Sequence, residues 1–158
     1  KGADCWGWAA WSRSWKLFNE NAIFLKKKLI QKKLVKKFNF NNSYNYMKML
    51  DDQIKGKNNS WAIRWYASAF LSNKLTLYPK NSLIKNIGID GSGTHGYESY
   101  NRFNIIKFHN KPYKKINTYK LKIEENMKIR KKFEDYFLLY KSNNFIKKIL
   151  NKLNVLFK

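Results

Sequence analysis

A glycine-rich segment in the middle of the chain, residues 86–95, does most to limit the structures open to this sequence. It reads Asn-Ile-Gly-Ile-Asp-Gly-Ser-Gly-Thr-His and carries three glycines within six positions. The apolar segment from Ser82 to Ile89 leads into it and has the composition of a strand. Because glycine lets the backbone turn sharply and approach a ligand, the pattern predicts a strand that ends in a binding loop, with His95 at its end.

Apolar residues repeat at helical spacing over much of the remaining chain. The repeats predict helices over residues 21–38, 44–54 and 61–72. Gly56 is placed to end the second of these helices, and the polar run Asn58-Asn59-Ser60 to begin the third. Short strands are predicted at residues 75–78, 82–89 and 103–108. Two more helices are predicted after residue 118, separated by a polar break at Ser142-Asn143-Asn144.

Positive charge is the largest departure from an average composition. The 158 residues include 33 Lys and Arg against 10 Asp and Glu, a formal net charge of +23. Only four of the basic residues are Arg, while Asn occurs 20 times and Ile 14 times. Lys, Asn and Ile rise together under AT-rich coding, whereas proteins that read nucleic acid generally use Arg, whose planar fork binds phosphate and base edges. We therefore predict no specific nucleic-acid partner, with an anionic surface as the alternative target of the charge.

The single cysteine and the distribution of apolar residues bear on the cellular setting. Cys5 has no partner for an internal disulfide, which fits a reducing compartment such as the cytoplasm. No apolar run approaches 18 residues, so we predict neither a membrane span nor a signal peptide. A Trp-rich segment begins almost directly after Lys1, which leads us to expect that the chain is part of a longer polypeptide.

The C-terminal part of the chain is more basic than the rest. Residues 101–158 hold 16 basic and four acidic residues. From Phe145 to Leu156, apolar side chains repeat at helical spacing and lysines flank them. Such a helix either lies in the interface of an anionic membrane or packs on its own domain. We therefore divide the chain into residues 1–117 and a basic amphipathic helical tail over residues 118–158.

Few side chains are suited to acid–base or metal chemistry. His95 follows the glycine-rich loop, where a neutral imidazole is a candidate ligand for a divalent ion. The adjacent Asp51 and Asp52 are candidates for a general base, because repulsion between two carboxylates raises one pKa. The alternative is that they belong to a solvated helix face. Asp4 precedes the tryptophans closely, where a substrate hydroxyl would be within reach.

Tryptophan is concentrated at the start of the chain, where Trp6, Trp8, Trp11 and Trp15 lie within ten residues. Flat indole rings stack on the apolar face of a sugar, and their N–H groups donate hydrogen bonds. Trp11 and Trp15 have helical spacing and are expected in the core. Trp6 and Trp8 flank Gly7 in a loop, so we predict that they contribute to a binding surface.

Several of these segments, in this order, resemble parts of bacterial family-two glycosyltransferases. Residues 2–13 (Gly-Ala-Asp-Cys-Trp-Gly-Trp-Ala-Ala-Trp-Ser-Arg) resemble the G-W-G-W-A-T-W-x-R segment of that family. Residues 60–65 and 75–79 resemble the helix and strand that follow, and residues 86–95 resemble the N-I-G…T-H segment. The resemblance implies an α/β fold, a partial GT-A-like fold with a short mixed sheet and several helices. It also implies that the nucleotide-binding half, with its D-x-D motif, precedes the segments found in this chain.

The resemblance also implies roles for individual residues. His95 matches the histidine that approaches the diphosphate and a divalent metal, manganese or magnesium. The residues assigned to the acceptor side are Trp6, Gly7, Trp8, Trp61 and Arg64. Relatives often place a carboxylate at the start of the helix near Trp61, but Asn59, Ser60 and Ala62 stand there in this chain.

The general base is therefore left open among three carboxylates, Asp52, Asp51 and Asp4. The chemistry implied is direct displacement, in which a carboxylate deprotonates the acceptor hydroxyl while the metal stabilises the leaving diphosphate.

The function that the resemblance implies is sugar transfer in the synthesis of cell-surface polysaccharide or lipopolysaccharide. The donor would be a nucleotide-sugar and the acceptor a glycan or a lipid-linked glycan. The protein would act in the cytoplasm, in peripheral contact with the anionic inner face of the membrane. Without the nucleotide-binding half, the isolated chain would be inactive. The alternatives are a basic nucleic-acid-binding module and a non-catalytic scaffold.

Overall fold

The computed structural model describes residues 7–79, 83–84 and 122–156, and in the last range it describes side-chain surroundings up to Ser142. Six α-helices occur in these residues, and they are α1 (Ser12–Trp15), α2 (Ala22–Gln31), α3 (Val35–Phe38), α4 (Tyr46–Ile54), α5 (Trp61–Leu71) and α6 (Met127–Leu156). The described part of the protein is therefore helical.

Short polar side chains begin the helices. Asn21, Asn45 and Ser60 each accept a hydrogen bond from the backbone N–H three residues further on, at 2.9, 3.0 and 3.3 Å. Asn126 does the same at the start of α6, at 3.0 Å. These bonds satisfy amide donors that the first turn of a helix leaves unpaired. The prediction that the run Asn58-Asn59-Ser60 begins a helix is confirmed, with Ser60 as the capping residue.

Four helices end in one kind of left-handed turn. Lys33, Phe40, Gly56 and Asn73 have φ values of 55°, 48°, 68° and 56°. In each case the N–H of the next residue donates to the carbonyl oxygen five positions back, at 2.8–2.9 Å. This is the Schellman motif, which pairs carbonyls that the last helical turn leaves free. Gly56 was expected to end its helix, and that prediction is confirmed.

The prediction of a single helix over residues 21–38 is wrong, because a turn at Lys33 divides this segment into α2 and α3. Leu34 and Val35 continue the apolar periodicity through the turn, and both pack partly buried against the core. The apolar spacing therefore looks continuous although the backbone is not helical throughout. The turn allows Leu29 and Phe38, both with no exposed area, to be buried in the same core.

Helices α2, α4 and α5 pack against one another, and α3 packs against α2 and α4. Phe38 is the central contact, since its ring stacks on Tyr66 with centroids 4.5 Å apart. The Tyr66 hydroxyl donates to the Phe38 carbonyl oxygen at 2.8 Å, so the buried phenol keeps a hydrogen-bond partner. The buried apolar residues of this core are Ala22, Leu25, Leu29, Phe38, Phe40, Met47, Leu50, Ile63, Tyr66, Ala67 and Phe70.

A buried arginine joins α6 to this core. Arg130 is 4% exposed, and its guanidinium donates to Glu125 at 2.7 Å, to Glu134 at 2.9 Å and to the Lys37 carbonyl oxygen at 2.8 Å. The same guanidinium lies 4.6 Å from the centre of the Phe40 ring. We call Arg130, the two carboxylates and the Lys37 carbonyl the Arg130 network. A buried charge is tolerated only when it is paired and hydrogen-bonded in this way.

Helix α6 differs from the prediction in where it begins and in running without a break. A helix was expected from about residue 118, but the described residues 122–126 are not helical, and Asn126 caps a helix that starts at Met127. The predicted break at Ser142-Asn143-Asn144 is wrong, because α6 runs without interruption to Leu156. The Ser142 hydroxyl donates to the Leu139 carbonyl oxygen at 2.8 Å, so this polar side chain is satisfied inside the helix.

The α/β fold with a mixed sheet is contradicted, because the described part of the chain is helical and contains no strand. Residues 75–78, predicted as a strand, are described without regular structure. A strand is stabilised by hydrogen bonds to a neighbouring strand, and no described segment supplies one. The segment 82–89 lies almost entirely outside the described residues, and the segment 103–108 lies outside them altogether.

The chain divides into two compact units. One contains residues 10–75 together with residues 123–158, so the tail helix α6 and helices α1 to α5 belong to the same unit. The other contains residues 5–9 and 76–122, of which only short stretches are described.

Replacement of Arg130 by Met tests the network. We expect Arg130→Met to lower the free energy of unfolding by about 3–5 kcal/mol, because Glu134 and Glu125 lose the charge that compensates them. Burial on its own raises the pKa of Glu125, but hydrogen bonding, including that from Arg130, outweighs burial and lowers it. The stability from this lowered pKa is present above the unfolded-state value and is lost as the pH falls through the folded-state value. Urea unfolding from neutral to acid pH measures both effects.

The double variant Arg130→Met/Glu134→Gln is the control for that experiment. We expect its loss of stability to be smaller than the sum of the two single losses, because removing both charges leaves fewer groups uncompensated. Strict additivity of the single effects would contradict a direct coupling between these side chains.

Candidate functional site

Two of the residues assigned to an acceptor, Trp61 and Arg64, lie in a cluster of aromatic side chains at the start of α5. We call Trp15, Phe18, Trp61 and Trp65 the aromatic surface. Trp15 comes from α1, Phe18 from the segment after it, and the other two from the first turns of α5. Because α1 is only four residues long, its position depends on packing rather than on helix propensity.

Trp15 is the centre of the aromatic surface. Its ring stacks on Phe18, with centroids 4.8 Å apart and planes 4° from parallel. It meets Trp61 edge-on at 6.2 Å and Trp65 at a tilt at 5.2 Å. Trp65 is buried, but Trp15 remains 41% exposed and Trp61 38% exposed. In this cluster two exposed indoles, those of Trp15 and Trp61, are therefore packed together with the buried indole of Trp65.

Arg64 holds the segment of Phe18 against α5. Its guanidinium lies 5.9 Å from the centre of the Phe18 ring. Its side chain also donates to the carbonyl oxygens of Ser60 and Glu20, at the long distances of 3.4 and 3.5 Å. Nearby, Ser68 accepts a hydrogen bond from the Asn19 N–H at 3.0 Å. Arg64 thus provides positive charge at the edge of the aromatic surface and supports its geometry.

The expectation that Trp11 and Trp15 belong to the core is wrong. Trp11 is 67% exposed, with the Arg13 guanidinium 5.2 Å from its ring centre, and Trp15 is 41% exposed. Helical spacing predicted that these residues share a face, but α1 ends at Trp15 and is too short to bury that face. Of the pair expected to bind sugar, Trp6 lies outside the described residues, and Trp8 is partly exposed in the second unit.

Gly7, also assigned to the acceptor side, has a packing requirement of its own. Its φ is 56°, and an added Cβ would lie 1.9 Å from the terminal methyl carbon of Ile84. Both residues belong to the second unit. A side chain at this position would be strained by the backbone conformation, and the end of the Ile84 side chain would have to move to make room for it. This accounts for the glycine between the two tryptophans without any reference to a ligand.

The two adjacent carboxylates proposed as a base are each paired with a lysine. Asp51 forms an ion pair with Lys26 at 2.6 Å, and Asp52 forms one with Lys48 one turn earlier in α4. The hydrogen bond from Lys48 lowers the pKa of Asp52, and the charges of Lys48, Lys57 and Lys55 act in the same direction. Repulsion between Asp51 and Asp52 was expected to raise one pKa, so the lowered pKa of Asp52 is opposite to that expectation. Asp52 is therefore ionised at neutral pH and weakly basic.

Asp52 lines an open groove between the α3–α4 turn, α4 and α6. The groove has a volume of about 740 Å³, within the range of small-molecule sites. Its lining consists mainly of amides, aromatic rings and lysines, namely Asn39, Asn42, Ser43, Tyr44, Asn45, Lys48, Met49, Asp52, Phe137, Tyr140 and Lys141. The groove cannot be recognised from the sequence, because α6 is distant from α4 along the chain and no local pattern links them.

The remaining predicted site residues lie outside the described part of the chain. These are Asp4, proposed as a base, and His95, proposed as a metal ligand. Among the described residues, no three His, Cys, Asp or Glu side chains lie together as a ligand set. No helix of the described residues has the length and apolar character needed to cross a bilayer.

A titration of Asp52 tests its pairing with Lys48. We expect Lys48→Gln to raise the pKa of Asp52 towards its ordinary value, because the main cause of the lowered pKa is the hydrogen bond from that lysine. The carboxyl carbon is followed by ¹³C NMR as the pH is lowered. Lys131→Gln is the matched control, since Lys131 forms an ion pair with Asp135 and both of these residues are in α6 rather than in α4. An equal shift at Asp52 in both variants would contradict the assignment.

Comparison with known proteins found no relative of this chain. No protein-family model matches it, and neither a curated protein nor a solved structure matches it. The likeness to family-two glycosyltransferases therefore depends on the sequence motifs described above.

Proposed function

We propose that this chain carries acceptor-side residues of a glycosyltransferase, with the aromatic surface as a contact for the acceptor glycan. The enzyme would transfer a sugar from a nucleotide-sugar donor to a glycan or lipid-linked acceptor in cell-surface polysaccharide synthesis. It would work in the cytoplasm. The sequence resemblance supports the activity, and the arrangement of the aromatic residues supports the location of the glycan contact.

One observation carries the proposal. Trp61 and Arg64, assigned to the acceptor from sequence alone, lie with Trp15 in a cluster in which two indoles stay exposed. Burial of a tryptophan is favourable, so two exposed rings held by neighbouring rings are a feature that invites a functional explanation. An exposed, rigid indole presents an apolar face that stacks on the C–H face of a pyranose.

The residues of this surface would bind and orient the acceptor. The indoles of Trp15 and Trp61 would contact its apolar face, and Arg64, the charged group of the surface, would hold Phe18 in place below. The base that removes the acceptor proton remains one of Asp52, Asp51 and Asp4. The described residues do not form a ligand set for manganese or magnesium, so no step is assigned to a metal.

Nucleic-acid binding, the alternative function, is less well supported by the arginines. Arg64 is directed at backbone carbonyls, and Arg130 is buried in its network. Among the arginines of the described residues, this leaves only Arg13 exposed, and it lies over the ring of Trp11. Specific recognition of phosphate and base edges relies on accessible guanidinium groups.

Glycan binding tests the aromatic surface. We expect Trp61→Ala to weaken binding of an oligosaccharide by about tenfold, because the variant removes one stacking ring. Saturation-transfer NMR and calorimetry with fragments of bacterial polysaccharides measure the change. Tyr136→Ala is the matched control, since Tyr136 is an exposed aromatic residue on α6 and is 48% exposed. Equal affinity of both variants for every bound glycan would remove the aromatic surface from the proposal.

Turnover tests the transferase activity itself. The polypeptide encoded by the complete open reading frame is assayed with nucleoside-diphosphate sugars and manganese. We expect His95→Ala and Asp52→Asn to lower turnover by at least about tenfold if these side chains act as ligand and base, while Asp135→Asn leaves it unchanged. A folded protein that neither binds nor turns over a nucleotide-sugar, but binds a defined nucleic acid at physiological salt, would establish the alternative function.

A further inference from the structure

Helix α6 has an apolar side that the helical core does not cover at its described end. Leu138 and Leu139 are 47% and 64% exposed. Leu139 lies about half a turn around the helix from Arg130, which is 4% exposed, and Leu138 lies between these two directions, one turn after Glu134, which is 8% exposed. Leu139 therefore lies on the face of α6 opposite Arg130, and Leu138 lies at the border between that face and the one attached to the core.

The sequence continues this apolar side to the end of the helix. With 3.6 residues per turn, positions three, four, seven and eleven residues apart share a face. From Leu138 and Leu139 these spacings reach the apolar residues Phe145, Ile146, Ile149 and Leu150, and they also reach three polar residues, Lys141, Ser142 and Asn143. We call the apolar residues in this register the α6 stripe, and they are Leu138, Leu139, Phe145, Ile146, Ile149, Leu150, Leu153 and Leu156.

Charge distinguishes the two candidate partners of the stripe, a second copy of the chain and an anionic surface. From Met127 to Lys158 the sequence contains nine basic and two acidic residues, a net charge of +7, and from Lys141 onwards it contains five lysines and no acidic residue. A second copy of the chain would bring two such helices together, with repulsion between like charges. An anionic surface would instead attract the lysines that flank the stripe.

We infer that the α6 stripe binds the surface of an anionic lipid bilayer, with the helix lying in the interface. The leucine and isoleucine side chains would enter the boundary between headgroups and acyl chains, and the flanking lysines would remain at the phosphate level. The Arg130 network would hold the start of α6 on the helical core while the stripe contacts lipid. This interaction does not require the transferase activity, and it would bring that activity close to a lipid-linked acceptor.

Vesicle binding by the full chain tests the inference. The protein is sedimented with vesicles of phosphatidylcholine alone and with vesicles that also contain phosphatidylglycerol, at physiological salt. We expect binding to the anionic vesicles, and we expect Leu139→Glu to weaken it by about tenfold or more, because the variant loses a leucine that would be buried in the bilayer and adds a negative charge. Gln31→Glu adds the same charge at an exposed end of α2 and should change binding by no more than about twofold.

A probe on the stripe provides a second measurement that does not depend on loss of binding. A nitroxide attached to a Leu139→Cys variant, with Cys5→Ser to remove the native thiol, should become shielded from a water-soluble relaxation agent when anionic vesicles are added. The same label on Gln31→Cys should remain accessible. Because both positions are exposed, the labels are expected to leave the fold unchanged, and circular dichroism of the labelled variants is the check.

Three results would overturn the inference. The first is no binding of the wild-type chain to anionic vesicles. The second is binding that Leu139→Glu and Gln31→Glu affect equally, which would show attraction by charge alone. The third is self-association without lipid, in sedimentation velocity, that Leu139→Glu abolishes while vesicle binding is unchanged, which would assign the stripe to a second copy of the chain. Glycan binding is measured separately, so failure here leaves the proposed function intact.

Discussion

The burial of Phe38 is the constraint on which the rest of the helical unit depends. Its ring stacks on Tyr66 of α5, and its carbonyl oxygen accepts the Tyr66 hydroxyl. The turn that follows provides three further connections. The Asn39 side chain accepts from the Met47 N–H at 2.9 Å at the start of α4, Phe40 lies under the Arg130 guanidinium, and the Asn41 amide donates to Glu134 at 2.8 Å. Phe38 and the short turn after it thus connect α3, α4, α5 and α6. A substitution in this segment would alter the packing of all four helices.

The aromatic residues serve two different purposes, and position in the structure distinguishes them. Phe38, Tyr66 and Phe70 are buried and fill the core, where ring packing adds to the stabilisation from buried area. Trp15 and Trp61 pack on neighbouring rings yet keep a large exposed area. The same ring contacts that stabilise the start of α5 also hold the exposed indoles in place. A rigid aromatic face of this kind loses little conformational entropy when it binds a ligand, which favours its use as a glycan contact.

Positive charge is likewise divided between structure and surface. Arg130 is enclosed by two carboxylates and a carbonyl, so its charge contributes to the attachment of α6 and to little else. The lysines remain at the surface, where some form ion pairs of small energetic value, such as Lys131 with Asp135. The excess of lysine near the end of the chain flanks the α6 stripe, where charge and apolar area act together. The high net charge of the protein therefore has no single explanation.

By itself, the sequence was sufficient for the helices that begin at a polar cap and carry an apolar face. It predicted α4 and α5 closely, because the capping side chains of Asn45 and Ser60 and the left-handed turn at Gly56 are local interactions. It did not reveal the turn at Lys33, since a left-handed lysine is unfavourable locally and is compensated by the burial of Leu29 and Phe38 on either side of it. It also misplaced Trp11 and Trp15 and predicted a strand at residues 75–78. Exposure, and the presence or absence of a strand partner, depend on residues distant in the chain. The Arg130 network, the groove beside Asp52 and the exposed aromatic surface were decided by tertiary packing alone, because each combines side chains that no local spacing brings together.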